Sequence, residues 1–516
     1  MNLRDILLSI PLVLSANLMS AQELFHDITA SVSLPEIYYV MCEFDFDNDG
    51  INELLVTKND SERRLFRNEG NYDFTDITEE AFVEKAPLST TELLSSDFDN
   101  DGYIDLIAYR GDSASEITFY KNINGTTFSS IALPDVVTNT LVDGIDNTPR
   151  IVDIDLDGDL DLLFGKSGAD APGKILMVVN GSRNTDSIQQ PFLGIQTVAH
   201  TSWRENRITI TDANNDGRLD ILSTRSDGIW SSSTHPNYPA SLFLNIGNSL
   251  ADYAKNEDEF VSNDSILNAF QRIDDCGIYS ANIMSDISTW DIDNDGDFDL
   301  INGSSDWPSV SVPHIYINDG SGVYTQYNSP VYQSTSYYHH GVLLYDVDLD
   351  NDMDAVWHQI HNFSNLYQRY WRNDGDINFS DMTGLWGIDD VVGGNSSGSL
   401  SAVDIDLDGD KDAFSRLSGT STITKVYSNN SVELGANWIG LKLKSIISAP
   451  NGIGSRVEVN ANGKLLSKLT KKKVVYDFRQ NDLKNGGEGA PLTSIFHQLI
   501  VEKKKIKSPV IIINLG

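Results

Sequence analysis

The stretch DIDNDGDFD, residues 291–299, places five aspartates in nine positions around a single glycine. Unit charges about 4 Å apart repel by roughly 4 kcal/mol at an effective dielectric near 20. Such a loop either spreads its acids into solvent or gathers them around a cation. One copy does not decide between these, but the chain holds seven: DFDNDGINE at 45–53, DFDNDGYID at 97–105, DIDLDGDLD at 153–161, DANNDGRLD at 212–220, DIDNDGDFD at 291–299, DVDLDNDMD at 346–354 and DIDLDGDKD at 404–412. Their starts lie 52, 56, 59, 79, 55 and 58 residues apart, and the long interval points to an insertion between 223 and 285.

A fixed period of this size marks a repeat architecture. An apolar or aromatic run precedes each loop, as at Tyr38–Cys42 and Val342–Tyr345, and a strand-like run follows, as in ELLV at 53–56 and DLLF at 161–164. Further on come LFRNEG at 65–70, FYKNING at 119–125, LFLNIG at 242–247, IYINDG at 315–320 and YWRNDG at 370–375, where Asn and Gly read as a tight turn. A third piece, Phe-x-Asp-[Ile/Met]-Thr, follows at 74–78 and 379–383. Four short antiparallel strands per repeat, seven times over, predict an all-β chain folded as a seven-bladed β-propeller. The last repeat has VYSNNS at 426–431 but lacks the third piece, which stands instead at 25–29 as FHDIT. That segment is expected to supply the outermost strand of the last blade, closing the ring and covering an edge.

The spacing Asp-x-[Asp/Asn]-x-Asp-Gly-x-x-[Asp/Glu] fits calcium, a hard cation that takes six to eight oxygens from alternating loop positions around a turn glycine. The candidate ligands are positions 1, 3, 5, 7 and 9, with position 7 offering its backbone carbonyl. They are Asp45, Asp47, Asp49, Ile51 and Glu53 in loop 1; Asp97, Asp99, Asp101, Tyr103 and Asp105 in loop 2; and Asp153, Asp155, Asp157, Asp159 and Asp161 in loop 3. Loop 4 offers Asp212, Asn214, Asp216, Arg218 and Asp220, and loop 5 Asp291, Asp293, Asp295, Asp297 and Asp299. Loop 6 offers Asp346, Asp348, Asp350, Asp352 and Asp354, and loop 7 Asp404, Asp406, Asp408, Asp410 and Asp412. Loops 1, 2, 3, 5 and 7 read as complete, loop 4 is weakened by Asn214, and loop 6 has Asn351 in place of the turn glycine. Up to seven Ca2+ ions follow as the expected cofactor, structural in role; a solvated acidic turn is the plain alternative.

The motif series resembles the FG-GAP/VCBS repeats of integrin-α-like propellers over roughly residues 25–430, and the resemblance implies calcium loops joining neighbouring strands on one face of the disc. From about residue 435 the composition changes. Residues 435–516 hold 14 Lys+Arg against 5 Asp+Glu, leaving 23 basic and 70 acidic residues elsewhere, a net of −47. NWIGLKLK at 437–444 and APNGIGSRVEVNANGK at 449–464 resemble the ASPIC/UnbV domain, which accompanies such repeats in cartilage-acidic-protein-like secreted proteins; FHQLI at 496–500 is a reduced form of that domain's later pattern. The basic run KLTKKK at 468–473 reads as a solvated strand edge, or as a surface that docks on the acidic propeller or on an anionic polymer. The expected division is a signal peptide over 1–21, a propeller over 22–432 and a small β domain over 433–516.

The net charge of −38 argues against nucleic acid and anionic lipid as partners. MNLRDILLSIPLVLSANLMSAQ has the charged start, short apolar stretch and small residues of a secretory leader, with cleavage expected after Ala21. No later segment approaches a membrane span. Cys42 and Cys276 either bridge or remain two buried thiols. No nucleophile elbow, zinc-protease or phosphate-loop motif appears. His339 and His340 flank the sixth motif with His358 and His361, and aromatic groups at 327–338 and 230–238 fit either packing or a sugar-binding surface. The family resemblance implies an extracellular interaction or adhesion module with a protein or glycan partner. A carbohydrate-binding propeller and a polysaccharide lyase are the alternatives; few basic residues stand in the loops to hold an acidic substrate, only Arg218 and Lys411.

Overall fold

Residues that alternate apolar and polar, punctuated by Asn-Gly or Asp-Gly, fold as strands that turn back on one another. In the computed structural model each repeat does so as one antiparallel sheet of four strands. The structure describes residues 23–34, 39–59, 62–82, 92–109, 117–133, 149–154, 159–166, 174–180, 192–200, 206–225, 240–246, 270–273, 275–278, 287–302, 314–327, 337–350, 352–361, 365–375, 377–388, 391–393, 399–417, 423–432 and 434, and the strands at 436–441, 443–444, 456–461, 464–469, 474–479, 501–502 and 510–515.

Blade one is Tyr39–Phe44, Glu53–Asn59, Glu62–Asn68 and Phe74–Asp76; blade two is Glu92–Ser96, Asp105–Tyr109, Thr118–Ile123 and Thr127–Ala132. Blade three is Arg150–Val152, Asp161–Lys166, Lys174–Asn180 and Phe192–His200; blade four is Asn206–Thr211, Asp220–Arg225, Ser241–Asn245 and Phe270–Ile273. Blade five is Ile287–Trp290, Asp299–Asn302, His314–Asn318 and Tyr324–Tyr327. Blade six is Tyr337–Tyr345, Asp354–His361, Asn365–Asn373 and Phe379–Asp381, with Val391–Gly393 added beside its third strand. In each blade the acidic loop joins the first strand to the second, and in blades one and six the Phe-x-Asp piece is the fourth strand.

The inner strands are covered on both faces by neighbouring blades, which is why they read as near-continuous apolar runs. Asp105–Tyr109 and Ser241–Asn245 are buried at every position, whereas Tyr324–Tyr327 buries only its first residue. The core is divided into slabs between adjacent blades. Phe98, Ile107 and Phe119 of blade two pack on Leu162, Phe164 and Val178 of blade three. Val403, Phe414 and Val426 pack on Val40, Leu54 and Phe66, joining the last repeat to the first.

That last blade completes the circle as the sequence predicts. Ser399–Val403, Asp412–Leu417 and Ile423–Asn429 take Phe25–Asp27 as their outermost strand, with Phe25 opposite Asn429 and Asp27 opposite Tyr427. Phe25 is 1% exposed, its ring 6.2 Å from that of Tyr370 in blade six, and its N–H donates to Trp386 O at 2.8 Å. The N-terminal strand thus ties two blades at once.

Cys42 and Cys276 are thiols buried in separate inter-blade cores, so the alternative of a bridge between them is not realised. Beyond the propeller, Arg456–Ala461 lies between Lys464–Leu469, antiparallel, and Val510–Leu515, parallel; Ala436–Leu441 pairs with Val474–Arg479 and Leu443–Lys444 with Val501–Glu502. The region expected to be a small β domain therefore forms strands. No helix among the described residues is long and apolar enough to cross a membrane. The expected leader, the side chains of the four histidines and most of the two aromatic groups lie outside the described residues.

Candidate metal centres

Each acidic loop that is described throughout reverses direction within nine residues, and two positions in it take left-handed backbone. Position 6 does so as glycine, for example Gly50 at φ +96° and Gly296 at φ +101°. Position 4 does so as well, as Asn48, Asn100, Asn215 and Asn294 in four loops and as Leu349 and Leu407 in two. Asparagine tolerates this conformation; leucine pays for it in strain. With the loop so curled, the position-6 N–H reaches back to the position-1 carboxylate, as Gly50 to Asp45 at 3.0 Å, Gly102 to Asp97 at 3.0 Å, Gly217 to Asp212 at 3.1 Å and Gly296 to Asp291 at 3.2 Å.

The position-9 carboxylate closes the loop. One of its oxygens accepts the position-2 N–H: Phe46 to Glu53 at 2.7 Å, Phe98 to Asp105 at 3.1 Å, Ala213 to Asp220 at 2.9 Å, Ile292 to Asp299 at 2.9 Å, Val347 to Asp354 at 2.8 Å and Ile405 to Asp412 at 2.9 Å. In loops 2, 4, 5, 6 and 7 the other accepts an N–H from the asparagine near the end of the third strand, such as Asn318 to Asp299 at 2.8 Å and Asn373 to Asp354 at 2.8 Å.

That asparagine, which sequence reading took for a turn residue, has a second task. Its side-chain amide donates to the position-2 carbonyl of the preceding blade's loop. Asn122 reaches Phe46 O at 2.9 Å, Asn180 reaches Phe98 O at 2.6 Å, Asn245 reaches Ile154 O at 3.2 Å, Asn318 reaches Ala213 O at 2.9 Å, Asn373 reaches Ile292 O at 3.2 Å and Asn429 reaches Val347 O at 2.8 Å. Six of the seven loops are thereby hooked to the next blade. At the seventh junction Asn68 Nδ2 is buried with no hydrogen-bond partner, and Tyr72 spans the gap, donating its hydroxyl to Asp406 at 2.6 Å. Loops also touch one another directly: Asn100 donates to Asp159 at 2.7 Å and Asn294 to Asp352 at 2.7 Å, and Asn215 meets Asp297 in the same way.

Five loops bring three carboxylates within reach of one ion, each offering an oxygen within 4.8 Å of the others. They are Asp45, Asp47 and Glu53; Asp97, Asp99 and Asp101; Asp291, Asp293 and Asp295; Asp346, Asp348 and Asp354; and Asp404, Asp406 and Asp412. Loop 4, with Asn214, forms no such group among the described residues, and Asp155 and Asp157 of loop 3 lie outside them. The donor sets suit a hard cation: Asp47 Oδ1 and Glu53 Oε1 in loop 1, and Asp410 Oδ1 in loop 7, are buried carboxylate oxygens with no hydrogen-bond partner. A carboxylate oxygen removed from water is costly unless something positive meets it.

Electrostatics point the same way. Burial pushes the Glu53 carboxyl up to about 8, against the Phe46 N–H, with Asp47, Asp49 and Asp45 adding to the rise. Burial, then repulsion from Asp101 and Asp99, takes Asp97 to about 7. Burial also lifts Asp220 and Asp299 to about 8 against the N–H groups they accept, and holds Asp105, Asp354 and Asp412 well above the ordinary range. Burial is the leading cause in each case, and a divalent ion bound beside such a carboxyl favours its ionised form.

Not every loop lacks one. Lys121, in the third strand of blade two, sets its ammonium against Asp99 and 3.2 Å from Asp101. Arg218, at position 7 of loop 4, pairs with Asp216 and donates through Nε to Asn245 O at 2.6 Å. Arg67 stands more loosely, Nε 3.6 Å from Asp47. Sequence reading found Arg218 but not Lys121, which stands 22 residues from Asp99 and shares no local pattern with it.

A family model and curated relatives match the end of the chain. The family model for anhydro-N-acetylmuramic acid kinase matches residues 425–516, which include the residues expected to resemble ASPIC/UnbV. The kinase of that name from Pelagibacter ubique is 54% identical over 55 residues, 11% of this chain and 15% of the relative; that from Brucella anthropi is 40% identical over 55 residues with the same coverage. The chain thus spans about 15% of the length of these curated relatives. Among solved structures, the protein AofleA from Arthrobotrys oligospora is 10% identical and aligns over 70% of this chain and 89% of its own, at a TM-score of 0.34. An ulvan lyase aligns over 77% and 95% at 10% identity and a TM-score of 0.39. TM-scores this low carry no weight; the propeller rests on its own strand pairing.

Proposed function

We propose that the chain is an FG-GAP/VCBS-like propeller, secreted and stabilised by calcium, that serves as an extracellular interaction or adhesion module. The observation that carries this reading is the set of buried carboxylate oxygens without a hydrogen-bond partner in loops 1 and 7, Asp47 Oδ1, Glu53 Oε1 and Asp410 Oδ1. Calcium here holds the loops together, since the same carboxylates and asparagines tie blade to blade. Loops 1, 5, 6 and 7 are the sites in this reading, with Asp45, Asp47 and Glu53, Asp291, Asp293 and Asp295, Asp346, Asp348 and Asp354, and Asp404, Asp406 and Asp412 as carboxylate ligands. At about 1 mM calcium and a dissociation constant near 0.1 mM, each site adds roughly 1.4 kcal/mol. The C-terminal similarity covers too little of the kinases to add a kinase reading. A glycan array run in calcium and again in EDTA tests the partner. Calcium-dependent capture of one glycan class makes this a carbohydrate-binding propeller and calls for a cleavage assay. Silence from folded protein leaves protein partners. Calcium that neither binds nor raises the melting temperature refutes the proposal.

A further inference from the structure

Loop 2 has the same sequence pattern as loop 1 and also brings three carboxylates together, at positions 1, 3 and 5 where loop 1 uses 1, 3 and 9, yet its oxygens are all engaged. Asp97 accepts the Asp101 N–H at 3.0 Å on one oxygen and the Gly102 N–H at 3.0 Å on the other. Asp99 accepts the Asp101 N–H at 3.2 Å and the Lys121 ammonium. Asp101 accepts the Tyr103 N–H at 3.0 Å and, at 3.2 Å, Lys121 again. Asp105 accepts Phe98 and Asn122 N–H groups at 3.1 and 2.8 Å. None of these eight oxygens is among the buried atoms that lack a partner, in contrast with loop 1.

The lysine is built in. Its side chain is 13% exposed, that of Asp99 0%, and its backbone immediately precedes Asn122, the residue that hooks blade two to the first loop. The preceding residue at the other junctions is Arg67, Val179, Leu244, Ile317, Arg372 or Ser428. Of the two arginines, Arg372 turns to Asp374 at 2.6 Å, outside the loops, and Arg67 stays 3.6 Å from Asp47. Lys121 alone among these described residues sets its cation between the position-3 and position-5 carboxylates. An ammonium and a divalent ion compete for the same oxygens, and the one attached to the chain has no translational entropy to lose on arrival.

We propose that Lys121 takes the place of the metal ion in loop 2, so that this loop is held together by a tethered cation and binds no calcium. Loop 4 follows the same principle with Arg218 on Asp216, where Asn214 has already removed one charge. The propeller then carries fewer ions than acidic loops, and the loops differ in their response to a chelator. This inference rests on the calcium reading for the remaining loops, and its test separates the two.

Bound calcium per chain is measured on dialysed full-length protein by elemental analysis, for the wild type, Asp101→Asn, Lys121→Met and the double variant. The expected result is equal calcium in wild type and Asp101→Asn, one more ion in Lys121→Met, and loss of that extra ion in the double variant. A wild type that loses an ion on Asp101→Asn, or a folded Lys121→Met that gains none while other loops are loaded, overturns the proposal. In EDTA the melting temperatures of wild type, Asp99→Asn, Lys121→Met and their combination complete the test. Lys121→Met is expected to lower the melting temperature by several degrees in the wild-type background and by much less beside Asp99→Asn. Equal losses in both backgrounds overturn the tethered cation. Should no variant bind calcium at all, the calcium reading fails alone, and the EDTA cycle still decides the role of Lys121.

Discussion

Stripping the cations while raising the pH puts the loops under a load that can be worked from the carboxyls themselves. Glu53 of loop 1 and Asp299 of loop 5 ionise near pH 8 in the ion-free fold, against about 4 for an unperturbed carboxyl. Between pH 4 and 8 the folded protein therefore keeps protons that the unfolded chain has released, and stability falls as pH rises. The contribution is whole below pH 4 and gone above pH 8. At 1.36 kcal/mol for each tenfold change in proton affinity, one such carboxyl withdraws on the order of 4 to 6 kcal/mol, and two or three match the entire stability of an ordinary domain. A divalent ion reverses the sign, because it binds the ionised form and its affinity grows with pH. Melting temperatures followed by circular dichroism from pH 5 to 8.5 are expected to diverge, nearly equal at pH 5 and separated by on the order of 10 °C or more at pH 8.5, with EDTA the lower curve. Calcium and EDTA curves that stay parallel across this range would falsify the reasoning.

The asparagine hooks predict an asymmetry around the ring. Asn318→Ala leaves Ala213 O and Phe298 O without their donor and is expected to cost about 1–3 kcal/mol in urea unfolding; Asn68→Ala, whose Nδ2 donates to nothing, is expected to cost measurably less. Phe25→Ala opens the closing strand and empties a buried site, for a loss of about 3–5 kcal/mol and fast amide exchange along residues 423–429. Gly277→Ala sets a Cβ on the Tyr324 carbonyl oxygen at φ +85°, so soluble expression or thermal stability is expected to drop sharply, whereas Gly50→Ala meets no neighbouring atom and is expected to cost only its backbone strain.

Much of this architecture was legible because it is repeated. Seven acidic loops, five of whose six intervals run from 52 to 59 residues, set the blade count, and the Phe-x-Asp piece missing from the last repeat and present at 25–29 marked the closing strand. Local spacing also identified the carboxylates that converge. It could not show how they divide their labour: Asp299 holds backbone N–H groups on both its oxygens, whereas Glu53 at the same position of loop 1 keeps Oε1 without a hydrogen-bond partner. Asn318 looks like a turn residue, but its partner Ala213 is 105 residues away. Lys121 was invisible for the same reason, since contacts between strands and loops obey blade geometry and not sequence distance.

The strand Phe25–Asp27 is among the first parts of the propeller to be made and has no partner until Ile423–Asn429 exists, roughly four hundred residues later. A chain that emerges from its N-terminus must keep this short strand uncommitted while six blades stack in order. The final pairing then locks a ring whose edge has stood open throughout. Contacts this distant in sequence close slowly, and the unpaired edge of the incomplete ring is where mispairing with a second chain would begin. Folding should accordingly show a late, slow step that the Phe25→Ala chain lacks, and the time spent before that step sets how long the nascent protein is vulnerable.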